Sequence, residues 1–275
     1  MTVHYFISII LRHIDGNHKL IQPYRVVIHG GIDGYSRLIV FLKASANNRA
    51  STVLNYFQEA VAQYNLPSHV RTDLGLENIE VARFMVNTRG VNRGSIITGT
   101  SVYNQQIERL WREVNCIVCS RFRNIFACLE SFCIDTTNEK HLFALHVAYI
   151  PLINEALEQL TLTWNFHSLS TEHNLSPRQL WIQGMLNSAN SGHTATQSVL
   201  NDNRINWDEY RIDEDGPVPQ DQTDYIVEVP LPPFTLSEEQ VQQLEDVRLI
   251  SRNSGNADGI VAFFSVLHLL EQFVQ

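Results

Sequence analysis

Charge is scarce in this sequence: Asp, Glu, Lys and Arg make up 18% of its 275 residues, against 44% hydrophobic ones. A chain of that balance has apolar surface for one core of roughly 150–200 residues plus an appendage, which excludes a wholly disordered polymer. Long apolar runs are also missing. No stretch approaches the roughly 18 residues that a membrane-spanning helix needs, so no transmembrane segment is expected. The apolar stretch from Tyr5 to Leu11 has neither a basic leader nor a small-residue cleavage site, so secretion is not expected. Cysteine is confined to Cys116, Cys119, Cys128 and Cys133, crowded within 18 residues. That is a poor disulfide framework. Cys116 and Cys119 form a C-x-x-C, but no second pair with zinc-ligand spacing follows, and free thiols are expected.

What charge there is falls unevenly. Residues 1–186 hold 16 Lys plus Arg against 14 Asp plus Glu, whereas residues 187–275 hold 4 against 15. Within residues 1–130 there are 14 basic and 9 acidic residues, a balance that suits a phosphate backbone. The acidic tail has the wrong sign for nucleic acid and suits a protein partner instead.

Periodicity orders the chain. Three β-branched segments, Leu11–Leu20, Tyr24–Ile32 and Leu38–Leu42, read as an antiparallel meander with Gly30, Gly31 and Gly34 punctuating its second turn. Asn48–Tyr64 has helical spacing, His69–Thr72 reads as a strand ending at Asp73, Glu77–Thr88 as a helix and Gly94–Thr98 as a short strand. From Asn104 one long amphipathic helix carries Ile107, Leu110, Trp111, Val114, Val118, Phe122, Ile125, Phe126 and Leu129 inward. Another helix is expected over His141–Phe166, and Ser176-Pro177 starts a short one through Met185. Past Gly184 the composition turns polar, then Pro-rich and acidic over Asp213–Pro233. Leu236–Ile250 reads as an acidic amphipathic helix, and Gly259–Val274 as an apolar closing helix that docks through Ile260, Phe264, Leu267 and Leu270. There is no internal repeat.

Three carboxylates stand out by placement. Asp15 interrupts an apolar strand in His13-Ile14-Asp15-Gly16-Asn17-His18, Asp73 ends a strand in Arg71-Thr72-Asp73-Leu74-Gly75-Leu76-Glu77-Asn78, and Glu108 opens the long helix. Each alone is usually a solvated charge or a turn residue. Brought within about 4 Å they would repel by roughly 4 kcal/mol per pair at an effective dielectric near 20, so their convergence implies a cation. All-oxygen ligation favours Mg²⁺ or Mn²⁺ over zinc. Asp33 is a rival carboxylate, but it precedes a Gly-Tyr-Ser turn where Asp has a local use. Glu77 and Glu80 read as acids complementing a helix start. Strand alternation puts His13 on the face of Asp15, where a packed or solvent-facing His is the plainer reading and a neighbour behind the ligands the other.

The run from Asp15 through Gly34-Tyr35-Ser36-Arg37, the Thr72-Asp73-x-Gly75-x-Glu77-Asn78 element, and Asn104-x-x-x-Glu108 with 34 residues between Asp73 and Glu108 resemble the catalytic core of the retroviral integrase and DDE transposase superfamily. Trp164-Asn165, Thr171-Glu172-His173-Asn174 and Ser176-Pro177-x-x-Leu180 are similar to that family's closing element. The resemblance covers about residues 11–186. It implies a ribonuclease-H-like α/β fold, a mixed five-stranded sheet with helices on both faces, over residues 1–186. Residues 187–275 would follow as an acidic, partly disordered extension ending in a helix. It also implies DNA nicking and strand transfer at two Mg²⁺ or Mn²⁺ ions, with Asp15 bridging both, Asp73 holding one and Glu108 the other. Asn104, Gln105, Arg109 and Arg112 would contact DNA, and Arg121 and Arg123 would extend the basic stripe. A nuclear location and a homo-oligomer go with that chemistry.

The sequence departs from the family at its ends. It carries neither an amino-terminal zinc-binding or helix-turn-helix module nor a basic carboxy-terminal one, and Leu11-Arg12 stand where an aromatic residue is common, so the sheet is expected to fray there. A second reading therefore stays open: a host-retained, catalytically idle domain that binds DNA or protein. A ribonuclease-H-type nuclease is a third.

Overall fold

The computed structural model describes residues 11–73, 75–91, 93–98, 105–189, 233–253 and 258–273. β1 (Leu11–Leu20), β2 (Val26–Asp33) and β3 (Ile39–Ser45) form the antiparallel meander, while β4 (His69–Thr72) and β5 (Ile96–Thr98) add in parallel beyond β1. The sheet order is β3-β2-β1-β4-β5. β1 is therefore the central strand, and every residue of β2 is buried. Gly30 and Gly31 lie inside β2 rather than in a turn. A Cβ on Gly31 would sit 2.3 Å from Phe41 Cε1, and one on Gly30 would sit 2.6 Å from Trp111 Cη2, so the aromatic rings occupy the space a side chain would take.

Helices cover both faces, as binary patterning on a buried sheet requires. On one side α1 (Ala50–Tyr64) and α2 (Ile79–Arg89) bury Val53, Phe57, Val81 and Met85 against Ile14, Val40 and Val70. On the other, α3 (Gln105–Val114), a π-turn (Asn115–Cys119), α4 (Ser120–Phe132) and α5 (Glu139–Phe166) pack Leu110, Val118, Phe126, Leu145 and Tyr149 over Ile28, Ile32 and Leu42. The long-helix expectation is met, with one wide turn inserted. That turn lies where the helix crosses β1, and Asn17 Nδ2 donates to Asn115 Oδ1 there at 2.9 Å.

At two points the β3 edge of the sheet is closed by side chains. Asn154 and Asn165 of α5 each hydrogen-bond both the N–H and the C=O of one β3 residue, Ala44 and Ile39 respectively. An edge strand presents such groups to any other chain, and α5 satisfies them internally. α6 (Pro177–Ala189) follows, setting Trp181 against Tyr64. α7 (Glu238–Asn253) and α8 (Ile260–Phe273) lie on α5, with Leu244, Phe263, Val266, Leu267 and Leu270 in the core. Docking thus extends to α7, and on α8 Phe263 faces inward whereas Phe264 is 45% exposed. The acidic stretch Asp213–Pro233 lies, but for its last residue, outside the described residues, as does Asn104.

Neither the start of β1 nor Asp33 is loose. Arg12 is 2% exposed and donates from Nη2 to the Tyr64 and Asn65 carbonyls at 2.8 and 2.7 Å, closing the end of α1. Asp33 pairs with Arg12 in register and accepts from Ser36 N–H and Oγ–H at 2.8 and 2.6 Å, the local use its turn predicted. The four cysteines are free thiols, and among the described residues no helix is long and apolar enough to cross a membrane.

Buried His29 makes the fold acid-sensitive. Burial lowers its pKa to about 4, against the pull of the Asn47 carbonyl and with help from His18. The unfolded chain takes up that proton near pH 6.5 and the folded one only near 4, so stability present above 6.5 is lost as pH falls toward 4. The full loss is on the order of 3 kcal/mol. His29→Gln removes the proton site, so urea melts at pH 7 and pH 4.5 should show the wild type losing about 2 kcal/mol more than the variant. Asp33, raised by burial to about 6, titrates with the opposite sign in both proteins and cancels in that comparison.

Candidate functional site

The parallel pairing of β1 with β4 aligns Leu11 with His69, Arg12 with Val70 and His13 with Arg71. Carried two residues on, the same register sets Asp15 beside Asp73, which directly follows β4. Both carboxylates are held. Asp15 accepts from the Gly16 amide at 2.9 Å on Oδ1 and from the Trp111 indole Nε1–H at 2.8 Å on Oδ2. Asp73 Oδ1 accepts from the Gly75 amide at 3.2 Å and from Asn78 Nδ2 at 2.9 Å.

A further carboxylate enters where the sequence suggested only a helix start. Leu76–Asn78 form a 3-10 turn ahead of α2, and that tighter turn buries Glu77 to 9% exposure. Its carboxylate folds over Gly75, where a Cβ would lie 2.5 Å from Oε1, and Oε1 is 3.9 Å from a Cβ built on Gly16. Glu77 thereby reaches the strand beside Asp15. His18 bends back to the same place, its Nε2 3.0 Å from that Gly16 position. Asn78, His18, Glu77 and Trp111 all border the aspartates although none stood out as more than a neighbour in the sequence. The usable signals were the glycines at 16 and 75, which leave room for side chains to cross. His13 is buried with its Nε2 against Gly34, at the far side of the turn after β2.

Electrostatics follow from this crowding. Burial, followed by the negative charges of Asp73 and Glu77, pushes the Asp15 carboxyl up to about 7, against the pull of the Trp111 and Gly16 hydrogen bonds. Burial and Asp73 raise Glu77 as well, with the Asn48 side chain opposing. His18 is lowered by burial and drawn back by Asp73. Excess negative charge on half-buried oxygen donors is the environment a divalent cation relieves.

The third expected ligand stands apart. Glu108 lies in the first turn of α3 with its side chain exposed, three residues before Trp111. Among the described residues no three His, Cys, Asp or Glu side chains are gathered closely enough to hold a metal ion. Asp15 and Asp73 are oxygen donors of the kind that suits Mg²⁺ or Mn²⁺, and Glu108 is not gathered with them. Gln105 opens the same helix, and Arg109 and Arg112 are exposed along it. Arg121 lies over the Phe122 ring, and Arg123 donates to the Lys19 carbonyl at 3.1 Å.

An integrase core domain model matches residues 7–195, more than half of the chain. The chain belongs to the integrase core-domain family. The sheet order and two-sided helical cover of this integrase core are those of the ribonuclease-H-like fold. Two solved structures of the HTLV-2 integrase catalytic core domain in complex with magnesium resemble it. The trimeric form is 15% identical over 62% of this chain and 95% of that one, with a TM-score of 0.40. The dimeric form is 16% identical over 64% and 99%, with a TM-score of 0.41. A simian T-cell lymphotropic virus intasome in complex with PP2A regulatory subunit B56 gamma is 15% identical over 64% of this chain and 55% of that chain, at 0.41. Membership rests on the family match and not on these distant likenesses. No curated protein is significantly similar in sequence.

Proposed function

We propose that this integrase core is a metal-dependent polynucleotidyl transferase that nicks DNA and joins DNA strands, with Asp15, Asp73 and Glu108 as its metal-holding carboxylates. The observation that carries the reading is the β1–β4 register, which sets Asp15 beside Asp73 in a half-buried and negatively charged place. When bound, two Mg²⁺ or Mn²⁺ ions would supply Lewis-acid activation of a water or 3′-hydroxyl and neutralise charge on the leaving oxygen. The chain's own residues orient and position. The Gly16 amide and Trp111 indole fix the Asp15 carboxylate, while Gly75 and Asn78 fix that of Asp73. Glu108 would be delivered from the first turn of α3, where Arg109 and Arg112 are exposed and would meet phosphates, with Gln105 and Asn104 ahead of them. DNA as partner, a homo-oligomer and a nuclear location belong to this proposal.

A second reading has an observation behind it. Glu108 is exposed, and no third carboxylate is gathered with Asp15 and Asp73 among the described residues, an arrangement that suits a host-retained domain that binds DNA or protein without cutting. One assay separates the two. The purified chain is incubated with supercoiled DNA and with candidate element ends, in Mg²⁺ or Mn²⁺ and again with chelator. The transferase reading expects nicks and strand-transfer products that chelator abolishes. DNA retention without product in either metal would establish the idle reading instead.

A further inference from the structure

Trp111 donates its indole N–H to a carboxylate of the site rather than to a backbone carbonyl. Trp164 provides the contrast, since its Nε1–H goes to the Arg37 carbonyl at 2.7 Å and fastens α5 to the β2–β3 turn. Trp111 Nε1–H goes to Asp15 Oδ2 at 2.8 Å, and its ring lies in the space left by Gly30, with Cη2 2.6 Å and Cζ2 3.3 Å from where a Cβ would be. Gly30 is the residue that pairs with Asp15 across β1 and β2. Ring and carboxylate thus meet at one point of the sheet, one fitted to the missing side chain and the other to the N–H. Glu108 stands three residues earlier in α3, just under one helical turn. The contact therefore joins the strand bearing Asp15 to the turn bearing Glu108.

Packing alone would need the ring and not this N–H. A carboxylate that holds an ion is commonly oriented by a donor behind it, and removing such a donor costs roughly 10- to 100-fold in metal affinity. Resting on the reading that Asp15 holds a divalent ion, we propose that Trp111 is a positioning residue of that site: its indole N–H fixes the Asp15 carboxylate for the ion and sets the place of the Glu108 turn. Gly30 is part of the same device, because any side chain there displaces the indole.

The test uses the full chain and Mn²⁺ titrations followed by electron paramagnetic resonance of the free ion. Trp111→Phe keeps a ring and loses the N–H, and it should bind Mn²⁺ about 10- to 100-fold more weakly while still unfolding cooperatively. Gly30→Ala keeps the indole but pushes it away, and should weaken binding in the same direction. The spectroscopic readout is the indole ¹H–¹⁵N spectrum, where four tryptophans give four signals. The Trp111 signal should shift on Mg²⁺ addition in the wild type and stay still in Asp15→Asn. Wild-type affinity in both Trp111→Phe and Gly30→Ala, with Asp15→Asn unable to bind, would overturn the positioning role and leave the metal reading intact. Tighter binding by Trp111→Phe would also overturn it, because the N–H would then compete with the ion. Absence of Mn²⁺ binding by the wild type would defeat the metal reading and this proposal with it. Should Trp111→Phe fail to fold, Gly30→Ala and the wild-type indole shift decide.

Discussion

Glu108→Gln is expected to lower Mg²⁺-dependent nicking by about 100-fold or more, equivalent to about 2.7 kcal/mol of transition-state stabilisation. Its thermal midpoint should not move. Burial in this part of α3 is carried by Ile107, Leu110, Trp111 and Val114, whereas the Glu108 side chain is exposed. Glutamine keeps the size and nearly the helix propensity while removing the charge that a metal ion requires. Single-turnover nicking, measured beside thermal melts of the same preparations, separates the two effects. Wild-type nicking in the variant would exclude Glu108 as the third ligand. A fall in midpoint matching the fall in rate would make the effect one of folding.

Arg12→Met should destabilise the protein by about 2–4 kcal/mol, because it leaves the Tyr64 and Asn65 carbonyls without their donor and removes the positive charge facing Asp33. The guanidinium satisfies the last carbonyls of α1 and sits beside Asp33, which lies opposite it in the β1–β2 register. Burial lowers the Arg12 pKa to about 10 even with the Asp33 charge raising it, so the charge is held at a cost that its partners offset. Methionine matches the stem and supplies none of the donors. Urea unfolding at pH 7 checks this. A loss below about 1 kcal/mol would mean that water replaces the guanidinium and that the end of α1 is not closed by it.

Much of the sheet was legible because alternation and β-branching report burial directly, and Asp15 and Asp73 could be placed on neighbouring strands from motif position alone. Elsewhere the signal was ambiguous for identifiable reasons. Glycine in a strand and glycine in a turn look alike until the ring that fills the missing side chain is located, as at Gly30 with Trp111 and Gly31 with Phe41. Periodicity assigned Trp111 correctly to the core but cannot say where an indole N–H points. Glu77 reads as an acid complementing a helix start because a 3-10 turn and an α-helical turn share a sequence signature, while only the tighter turn brings its carboxylate inward. On α8 apolar residues occur nearly all round, so the choice between Phe263 and Phe264 was set by contact with α5 and α7 rather than by spacing. Arg12 resembled a fraying end because its partners, the Tyr64 and Asn65 carbonyls, are more than 50 residues away.

The measurement closest to the central claim is the anomalous diffraction of a crystal soaked in Mn²⁺. A peak is expected between the Asp15 and Asp73 carboxylates, with Mn–O distances near 2.0–2.3 Å, and a second peak about 3.5–4 Å away once Glu108 has moved inward. An ordered Asp15–Asp73 pair with no peak between them, at a Mn²⁺ concentration that drives metal-dependent nicking in solution, would contradict it.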